Sequence, residues 1–338
     1  MSPASGGRPV GRARAEAHPS LALIKYWGKA DAHRNLPATP SLGLTLDGMT
    51  TTTVVEAFEA PVGTASGPGD RVSVDGTVQP PERYAPFFSA IRDLIAASGG
   101  NPGVRFVAES ASNFPSSAGM ASSASGFAAL AVASAAAAGL DADAAALSAV
   151  ARVGSASAAR SLWGGFVRLD AGAESARPVR GRDWWPELRT VVVQAASGPK
   201  PVPSRAAMES SRVTSPFYES WIDDAPRLLA EALDALDGKD LSVLGPLMRK
   251  SYLRMFSTML SSDPPVLYWK PGSLAVLGLC EEMRSDGLSA WETMDAGPQV
   301  KVFCLAEELD DVLLRLQARV PDMPLRVCSP GGAPRVLP

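Results

Sequence analysis

The segment that most constrains the fold is the glycine-, serine- and alanine-rich run Pro115–Gly126, which reads PSSAGMASSASG. It follows Val104–Ser110, where apolar and polar residues alternate as in a half-buried strand, and it precedes Phe127–Gly139, an alanine-rich run typical of a buried helix. Small side chains let a backbone approach a polyphosphate closely, and the N-terminus of a helix favours negative charge. The same composition also suits close helix packing, so composition alone leaves a phosphate site and a packing role both open.

Strand-like and helix-like segments alternate irregularly along the chain, which predicts an α+β fold rather than a regular strand–helix repeat. The 338 residues are enough for about two domains. The proline-rich stretch at 197–205, SGPKPVPSR, is the predicted boundary between them. We therefore expect a disordered tail at 1–16, an N-terminal lobe at 17–196 and a C-terminal lobe at 197–338.

Composition excludes several classes of function. The net charge of −3 argues against a nucleic-acid or membrane-surface partner, which would require a basic excess. Three widely spaced cysteines without a CxxC pair predict a reduced, cytoplasmic protein, and the absence of an 18-residue apolar run predicts no membrane span. The two histidines, His18 and His33, cannot build a histidine-rich zinc site. Acid–base chemistry would therefore fall to carboxylates, lysine or tyrosine.

Four segments resemble known motifs. Pro-x-x-x-Gly-Met-x-Ser-Ser-Ala-Ser within the glycine-rich run resembles the phosphate-binding motif of the GHMP kinase superfamily. The segments HPSLALIKYWGK at 18–29, GSASAARSLWGGF at 154–166 and MDAGP at 294–298 resemble, in the same order, motifs of the mevalonate diphosphate decarboxylase family. The stretches LPATPSLGLTL at 36–46 and TTTT at 50–53 continue the resemblance.

This resemblance implies a two-lobed α+β GHMP kinase fold, with a ribosomal protein S5 domain 2-like N-terminal lobe and a ferredoxin-like C-terminal lobe. It also implies ATP and Mg²⁺ as cofactors, a phosphorylated small-molecule substrate and a homodimer. Mg²⁺ would arrive with ATP, and Ser122 is the candidate protein side chain for it. The expected ATP-binding residues are those of the loop: Pro115, Ser116, Ser117, Ala118, Gly119, Met120, Ala121, Ser122 and Ser123.

The residues matching the family's active site are Asp295, Lys25 and Arg160, which the resemblance implies to be catalytic. Other polar residues match substrate-binding positions, the last three more loosely: Tyr26, Lys29, Ser155, Ser157, Arg71, Ser204 and Arg205. Each also has a structural alternative, since Asp295 could cap a turn and the two cations could be solvated. Ser157 and Arg160 are three residues apart, so on a helix they share one face.

The implied activity is ATP-dependent conversion of mevalonate 5-diphosphate to isopentenyl diphosphate, by transient phosphorylation of the C3 hydroxyl. Three alternatives stay open: a decarboxylase of mevalonate 5-phosphate, a 3-kinase that does not decarboxylate, and a non-catalytic binding relative. Departures from the family pattern near its pocket leave the substrate's phosphorylation state open, because two of the four replace polar side chains with apolar ones. They are Leu253 and Phe256 at asparagine and histidine positions, Gln299 for asparagine, and Ala207 for glycine.

Overall fold

The computed structural model describes residues 7–59, 69–115, 122–198 and 200–338. The strands are β1 (Pro9–Ala17), β2 (Ser20–Ile24), β3 (Lys29–Asp31), β4 (Leu36–Pro37), β5 (Ser41–Thr45), β6 (Thr51–Glu59), β7 (Arg71–Val74), β8 (Thr77–Val78), β9 (Val104–Ser112), β10 (Phe166–Leu169), β11 (Arg177–Arg180), β12 (Leu188–Val193), β13 (Trp291–Met294), β14 (Val300–Leu305), β15 (Leu325–Cys328) and β16 (Arg335–Leu337).

The α-helices are α1 (Ala85–Ala97), α2 (Ser122–Ala137), α3 (Ala144–Gly154), α4 (Ser204–Thr214), α5 (Tyr218–Asp237), α6 (Leu241–Leu260), α7 (Pro271–Ser285) and α8 (Leu309–Arg319). A 3-10 helix at Ala156–Leu162 follows α3 closely and carries two of the predicted site residues, Ser157 and Arg160. Within the described part of the chain, no helix is both long and apolar enough to cross a membrane.

The N-terminal lobe contains a six-stranded sheet in the order β16-β1-β6-β9-β7-β8 and a four-stranded sheet in the order β11-β10-β5-β2. The alanine-rich helix α2 packs against β1 and β6, and it is buried nearly all round, as its composition predicts. The N-terminus of α2 therefore begins a buried helix that is packed on the six-stranded sheet.

The prediction of a disordered tail at 1–16 is wrong for the residues that the structure describes. Pro9–Ala17 forms β1, which pairs antiparallel with β6. Ala15 and Ala17 are fully buried, whereas Arg12 is largely exposed and pairs with Glu56. Alternation of small and charged residues made this segment look polar, yet it is the pattern of a strand with one buried face. Residues 1–6 lie outside the described residues.

The C-terminal lobe is built on an antiparallel sheet in the order β13-β14-β12-β15. Helices separate β12 from β13 and β14 from β15, which gives the split βαβ arrangement of a ferredoxin-like fold. The predicted boundary at 196/197 is therefore misplaced, because β12 lies at the centre of this second sheet. The proline-rich stretch follows β12 and does not separate the lobes.

The end of the described chain also departs from the predicted C-terminal lobe. β16 pairs antiparallel with β1, at the edge of the six-stranded sheet of the N-terminal lobe. Pro330 forms an isolated bridge with Leu46 in the same lobe. Residues 330–337 thus tie the two lobes together.

Candidate active site

Two residues from different lobes meet at the centre of the molecule. Lys25 follows β2 in the N-terminal lobe, and Asp295 follows β13 in the C-terminal lobe. Lys25 Nζ donates to Asp295 Oδ1 at 2.8 Å and to the Ala22 carbonyl at 2.6 Å. The Lys25 side chain is 1% exposed and that of Asp295 is 23% exposed, so the aspartate faces the cavity described below. Asp295 is therefore an ion-pairing residue and not merely a turn cap.

A second lysine approaches the same carboxylate. Lys301, on β14, places Nζ 3.2 Å from Asp295 Oδ2, and its side chain is 3% exposed. Burial by itself raises the pKa of Asp295, but Lys25 and Lys301 outweigh it and hold the pKa of that carboxyl well below its usual range. Burial lowers the pKa of Lys25 to about 8 against the opposing effect of Asp295. The pair is thus an aspartate and an ammonium at neutral pH.

Arg160 is a buried cation that forms no ion pair with a carboxylate among the described residues. Its side chain lies on the 3-10 helix and is 1% exposed. The guanidinium donates to Ser41 Oγ at 2.7 Å and to Ser20 Oγ at 3.3 Å. Among the described residues no acidic side chain forms an ion pair with it, and burial lowers the pKa of Arg160 to about 10. A buried guanidinium of this kind is suited to bind a ligand carboxylate.

These groups open into one cavity of about 190 Å³ between the lobes. Most of the sequence-predicted catalytic and substrate residues line it, together with one residue of the predicted ATP loop. They are Lys25, Tyr26, Lys29, Ser123, Ser155, Ser157, Arg160, Ser204, Arg205 and Asp295. The structure therefore brings residues from five separate sequence segments to a single site.

One end of the cavity carries an excess of positive charge. Burial and, to a smaller extent, the neighbouring charge of Arg205 lower the pKa of Lys29 to about 8, with Glu209 opposing. Burial raises the pKa of Tyr26, so this tyrosine, which also lines the cavity, is a neutral phenol and a hydrogen-bond donor. Lys29 and Arg205, two neighbouring cations in one cavity, form a site for a polyanion.

Three hydroxyls connect the start of α2 to the substrate cavity. Ser123 Oγ lies 3.2 Å from Ser155 Oγ, which lies 3.0 Å from Ser157 Oγ. On the other side of these three hydroxyls, Ser122 and Ser123 line a second cavity of about 280 Å³ together with Tyr84 and Phe127. The helix N-terminus of α2 thus lies between the two cavities.

Several predicted residues are not placed in the first cavity. Arg71 is exposed on β7, opposite Val107 of β9, so the structure does not bring it to the predicted diphosphate site. The segment DRVSVDG, which matched the family only loosely, contains β7, and Arg71 lies on the exposed side of this strand. Pro115 precedes the loop, and the predicted ATP-binding residues Ser116, Ser117, Ala118, Gly119, Met120 and Ala121 lie outside the described residues.

None of the departures from the family pattern, Ala207, Leu253, Phe256 and Gln299, lines the cavity. Phe256 is fully buried and stacks on Trp269 with ring centroids 5.3 Å apart, and Leu253 packs at the same core. Gln299 Nε2 donates to the Ala196 carbonyl at 2.8 Å, which anchors the loop after β12. These residues support the walls of the site, while its cations are unchanged.

The sequence did not single out several residues that the structure places at the site. Lys200 lines the cavity and donates to Ser204 Oγ at 3.0 Å, and burial lowers its pKa to about 8. Ser20 and Asn35 also line the cavity. Lysine in a proline-rich loop resembles a solvated side chain, so only the folded loop identifies it.

The described residues contain no group of three or more histidine, cysteine, aspartate or glutamate side chains that could hold a metal ion. A divalent cation at this site would therefore be held largely by its ligand's own oxygen atoms. The Ser122 hydroxyl, at the start of α2, fits the oxygen chemistry of Mg²⁺.

The two lobes, with a helix N-terminus and a cationic cavity between them, define the class of GHMP kinase folds. Two family models match the chain: the diphosphomevalonate decarboxylase-like N-terminal domain over residues 17–179, and the mevalonate 5-diphosphate decarboxylase C-terminal domain over residues 190–326. The chain belongs to the diphosphomevalonate decarboxylase family. The C-terminal match begins inside β12, in agreement with the sheet topology.

Individual relatives are similar over nearly the whole chain. Diphosphomevalonate decarboxylases of Aspergillus fumigatus and Homo sapiens are 32% and 31% identical, covering 93% of this chain in each case and 82% and 80% of those proteins. The structure of mevalonate diphosphate decarboxylase from Staphylococcus aureus has a TM-score of 0.87 at 31% identity, covering 97% of this chain and 98% of that one. A structure described as MDDEF in complex with MVAPP, AMPPCP and magnesium has a TM-score of 0.86 at 34% identity, covering 97% and 99%.

Proposed function

We propose that this protein catalyses the ATP-dependent decarboxylation of mevalonate 5-diphosphate to isopentenyl diphosphate, with release of ADP, phosphate and carbon dioxide. The observation that carries the proposal is the position of Arg160, a buried guanidinium held by serine hydroxyls in the same cavity as the Lys25–Asp295 pair. A kinase needs an acceptor base and a phosphate-binding loop. A buried arginine that pairs with no carboxylate in the described part of the chain adds a place for a substrate carboxylate.

The arrangement of charges matches the three functional groups of this substrate. Lys29 and Arg205 would bind the 5-diphosphate, and Arg160 would bind the carboxylate by paired hydrogen bonds. The tertiary C3 hydroxyl, which lies between those groups in the molecule, would then face Asp295. A related protein carries MVAPP, AMPPCP and magnesium together, which supports one site for both substrates.

Asp295 would accept the C3 hydroxyl proton while the oxygen attacks the γ-phosphorus of ATP. Lys25 would stabilise the negative charge on the transferring phosphoryl group. The C3–O bond then breaks and phosphate leaves with its electrons, so positive charge develops at C3. The electrons of the bond to the carboxylate form the new double bond, and carbon dioxide departs from Arg160. Hydroxide is a poor leaving group, so the phosphorylation is what makes this elimination possible.

The ATP triphosphate would lie at the N-terminus of α2, because a helix N-terminus offers free backbone N–H groups and Ser123 in its first turn lines the substrate cavity. Its nucleoside part would occupy the second cavity, beside Tyr84 and Phe127. Mg²⁺ bound with ATP supplies charge neutralisation of the phosphate oxygens. Residues of the loop before α2 would complete this site, as the sequence motif predicts.

The test is to incubate the purified protein with ATP, Mg²⁺ and mevalonate 5-diphosphate, and to quantify all four products. We expect ADP, phosphate, carbon dioxide and isopentenyl diphosphate in equal amounts. A parallel reaction with mevalonate 5-phosphate provides the comparison. Turnover of the monophosphate alone would contradict the proposed substrate, and ADP without carbon dioxide would identify a 3-kinase.

We also propose a cytoplasmic homodimer, as the family resemblance implies. The absence of an 18-residue apolar run and the reduced cysteines support the location. Analytical ultracentrifugation of the purified protein tests the assembly, and a sedimentation coefficient of a monomer at micromolar concentration would contradict it. Fractionation of cells that express the full chain tests the compartment.

A further inference from the structure

Asp295 separates two different environments. On one side lies the substrate cavity, which Lys25 lines. On the other side lies a small void of about 10 Å³, bounded by apolar side chains together with Asp295 and Lys301. Lys301 therefore approaches the carboxylate from the protein interior, and it is not among the residues lining the substrate cavity. Lys301 can therefore influence the reaction through its effect on Asp295.

The position of Lys301 is fixed by the sheet. It lies on β14, with Val192 of β12 opposite on one side and Thr293 of β13 opposite on the other. Its ammonium donates to Asp295 Oδ2 at 3.2 Å and to the Gln299 carbonyl at 3.5 Å. The second oxygen of Asp295 is therefore held by a donor whose backbone is paired on both edges.

Neutralising Asp295 does not require this second lysine, because Lys25 alone balances its charge. A buried ammonium costs several kcal/mol of solvation free energy unless it is well paired. Four cationic groups act on Asp295 or Lys25 from different elements: Lys25 after β2, Lys301 on β14, Lys200 after β12 and Arg160 on the 3-10 helix. Of these four, Lys301 is the one that approaches from outside the substrate cavity.

Building on the proposed function, we propose that Lys301 is a positioning residue that holds Asp295 Oδ2 and keeps the carboxylate ionised while Lys25 binds the transferring phosphoryl group. As Lys25 turns its charge toward the phosphate oxygens, its hold on Asp295 weakens. Lys301 keeps a cation on the carboxylate throughout. The base then retains its orientation toward the C3 hydroxyl during phosphoryl transfer.

The experiment compares Lys301→Met, Lys301→Arg and the control Lys250→Met, which removes an exposed lysine on α6. We expect Lys301→Met to lower kcat by about 10²-fold, with KM for both substrates within threefold of wild type. Both limbs of its pH profile should move to higher pH, because Asp295 loses a neighbouring cation and Lys25 loses a neighbouring like charge. Lys301→Arg should restore the wild-type pH limbs and most of kcat, and Lys250→Met should match wild type.

A wild-type kcat and pH profile in Lys301→Met would overturn the proposal, as would a loss of activity in Lys301→Arg equal to that in Lys301→Met. If Lys301→Met does not fold, as judged by its thermal transition, Lys301→Gln provides the same uncharged comparison. All values are ratios to wild type. Failure of the wild-type protein to release carbon dioxide would instead refute the proposed function.

Discussion

Lys25 and Asp295 are 270 positions apart in the chain, yet Lys25 Nζ lies 2.8 Å from Asp295 Oδ1. Each residue comes from a different lobe, so the pair exists only when the lobes are packed together. The same contact therefore serves the proposed chemistry and the joining of the lobes.

Replacement of Asp295 by asparagine should reduce ADP formation by about 10²–10⁴-fold, because the base that accepts the hydroxyl proton is lost; alanine should abolish turnover. The free energy of unfolding should fall by about 3–5 kcal/mol, since two buried lysines lose their carboxylate. Steady-state kinetics and urea denaturation measure both effects. Asp183→Asn, at a side chain that is 95% exposed, is the control. Wild-type turnover in Asp295→Ala would refute the proposed role.

The dependence of kcat/KM on pH should have an alkaline limb near pH 8. Burial lowers the pKa of Lys25 and of Lys200 to about 8, so both are ammonium groups below this pH and lose their charge as the pH rises through it. Because kcat/KM reports the free enzyme, it should be constant just below this value and fall above it. The alkaline limb of kcat should lie at a higher pH than that of kcat/KM, because bound phosphates favour the ammonium forms of both lysines. A kcat/KM that stays constant to pH 10 would contradict these assignments.

Replacement of Arg160 by methionine should separate stability from activity. The guanidinium is buried and pairs with no carboxylate of the described residues, so an apolar side chain of similar length should raise the free energy of unfolding by about 1–2 kcal/mol. The same change should lower kcat/KM for the diphosphate substrate by at least about 10²-fold, because the carboxylate loses a charged partner. Arg160→Gln should mainly impair substrate use. Thermal unfolding without ligand and steady-state kinetics test this, and a less stable Arg160→Met protein would be the contrary result.

Gly28 illustrates how tightly the diphosphate end is built. It adopts φ +95°, and a Cβ there would lie 1.9 Å from the Tyr218 hydroxyl oxygen. Gly76 has a similar φ of +78° with nothing within 4 Å of the added atom. Gly76→Ala should therefore cost about 1–2 kcal/mol from the backbone alone, and Gly28→Ala should cost about 1–3 kcal/mol more. Only Gly28→Ala should raise KM for the substrate, by displacing Lys29. Equal effects of Gly28→Ala and Gly76→Ala on the free energy of unfolding and on KM would contradict this prediction, because they would show that Tyr218 moves aside at no cost.

Phe256 should act on stability rather than on substrate choice. Its ring is fully buried against Trp269, so Phe256→Leu should lower the free energy of unfolding by about 1 kcal/mol. The ratio of kcat/KM for mevalonate 5-diphosphate to that for mevalonate 5-phosphate should remain unchanged. A change of tenfold or more in this ratio would show that the packing of α6 selects the substrate.

Motif residues could be predicted from the sequence because each lies within a contiguous pattern. Lys25, Arg160 and Asp295 were identified in this way, and the structure brings them into one cavity. Lys301 could not be identified, because a lysine within VKVFC has no local mark of burial. Its role depends on the register of β14 against β12 and β13, which is a property of the folded sheet.

The errors in the predicted lobes have the same origin. β1 looked like a polar tail because its buried side chains are alanines, which give a weak hydrophobic signal. β12 precedes the proline-rich stretch, but its partners β14 and β15 come more than a hundred residues later. Strand order depends on these distant pairings, which local composition does not record.

The pairing of β16 with β1 has a consequence for synthesis. Arg335 and Glu16, which form an ion pair across these strands, are separated by 319 positions. During translation one edge of β1 therefore stays open until almost all of the other strands have left the ribosome. Such an edge can pair with another chain, so a nascent polypeptide stalled before residue 335 should be a better client for chaperones than the finished protein.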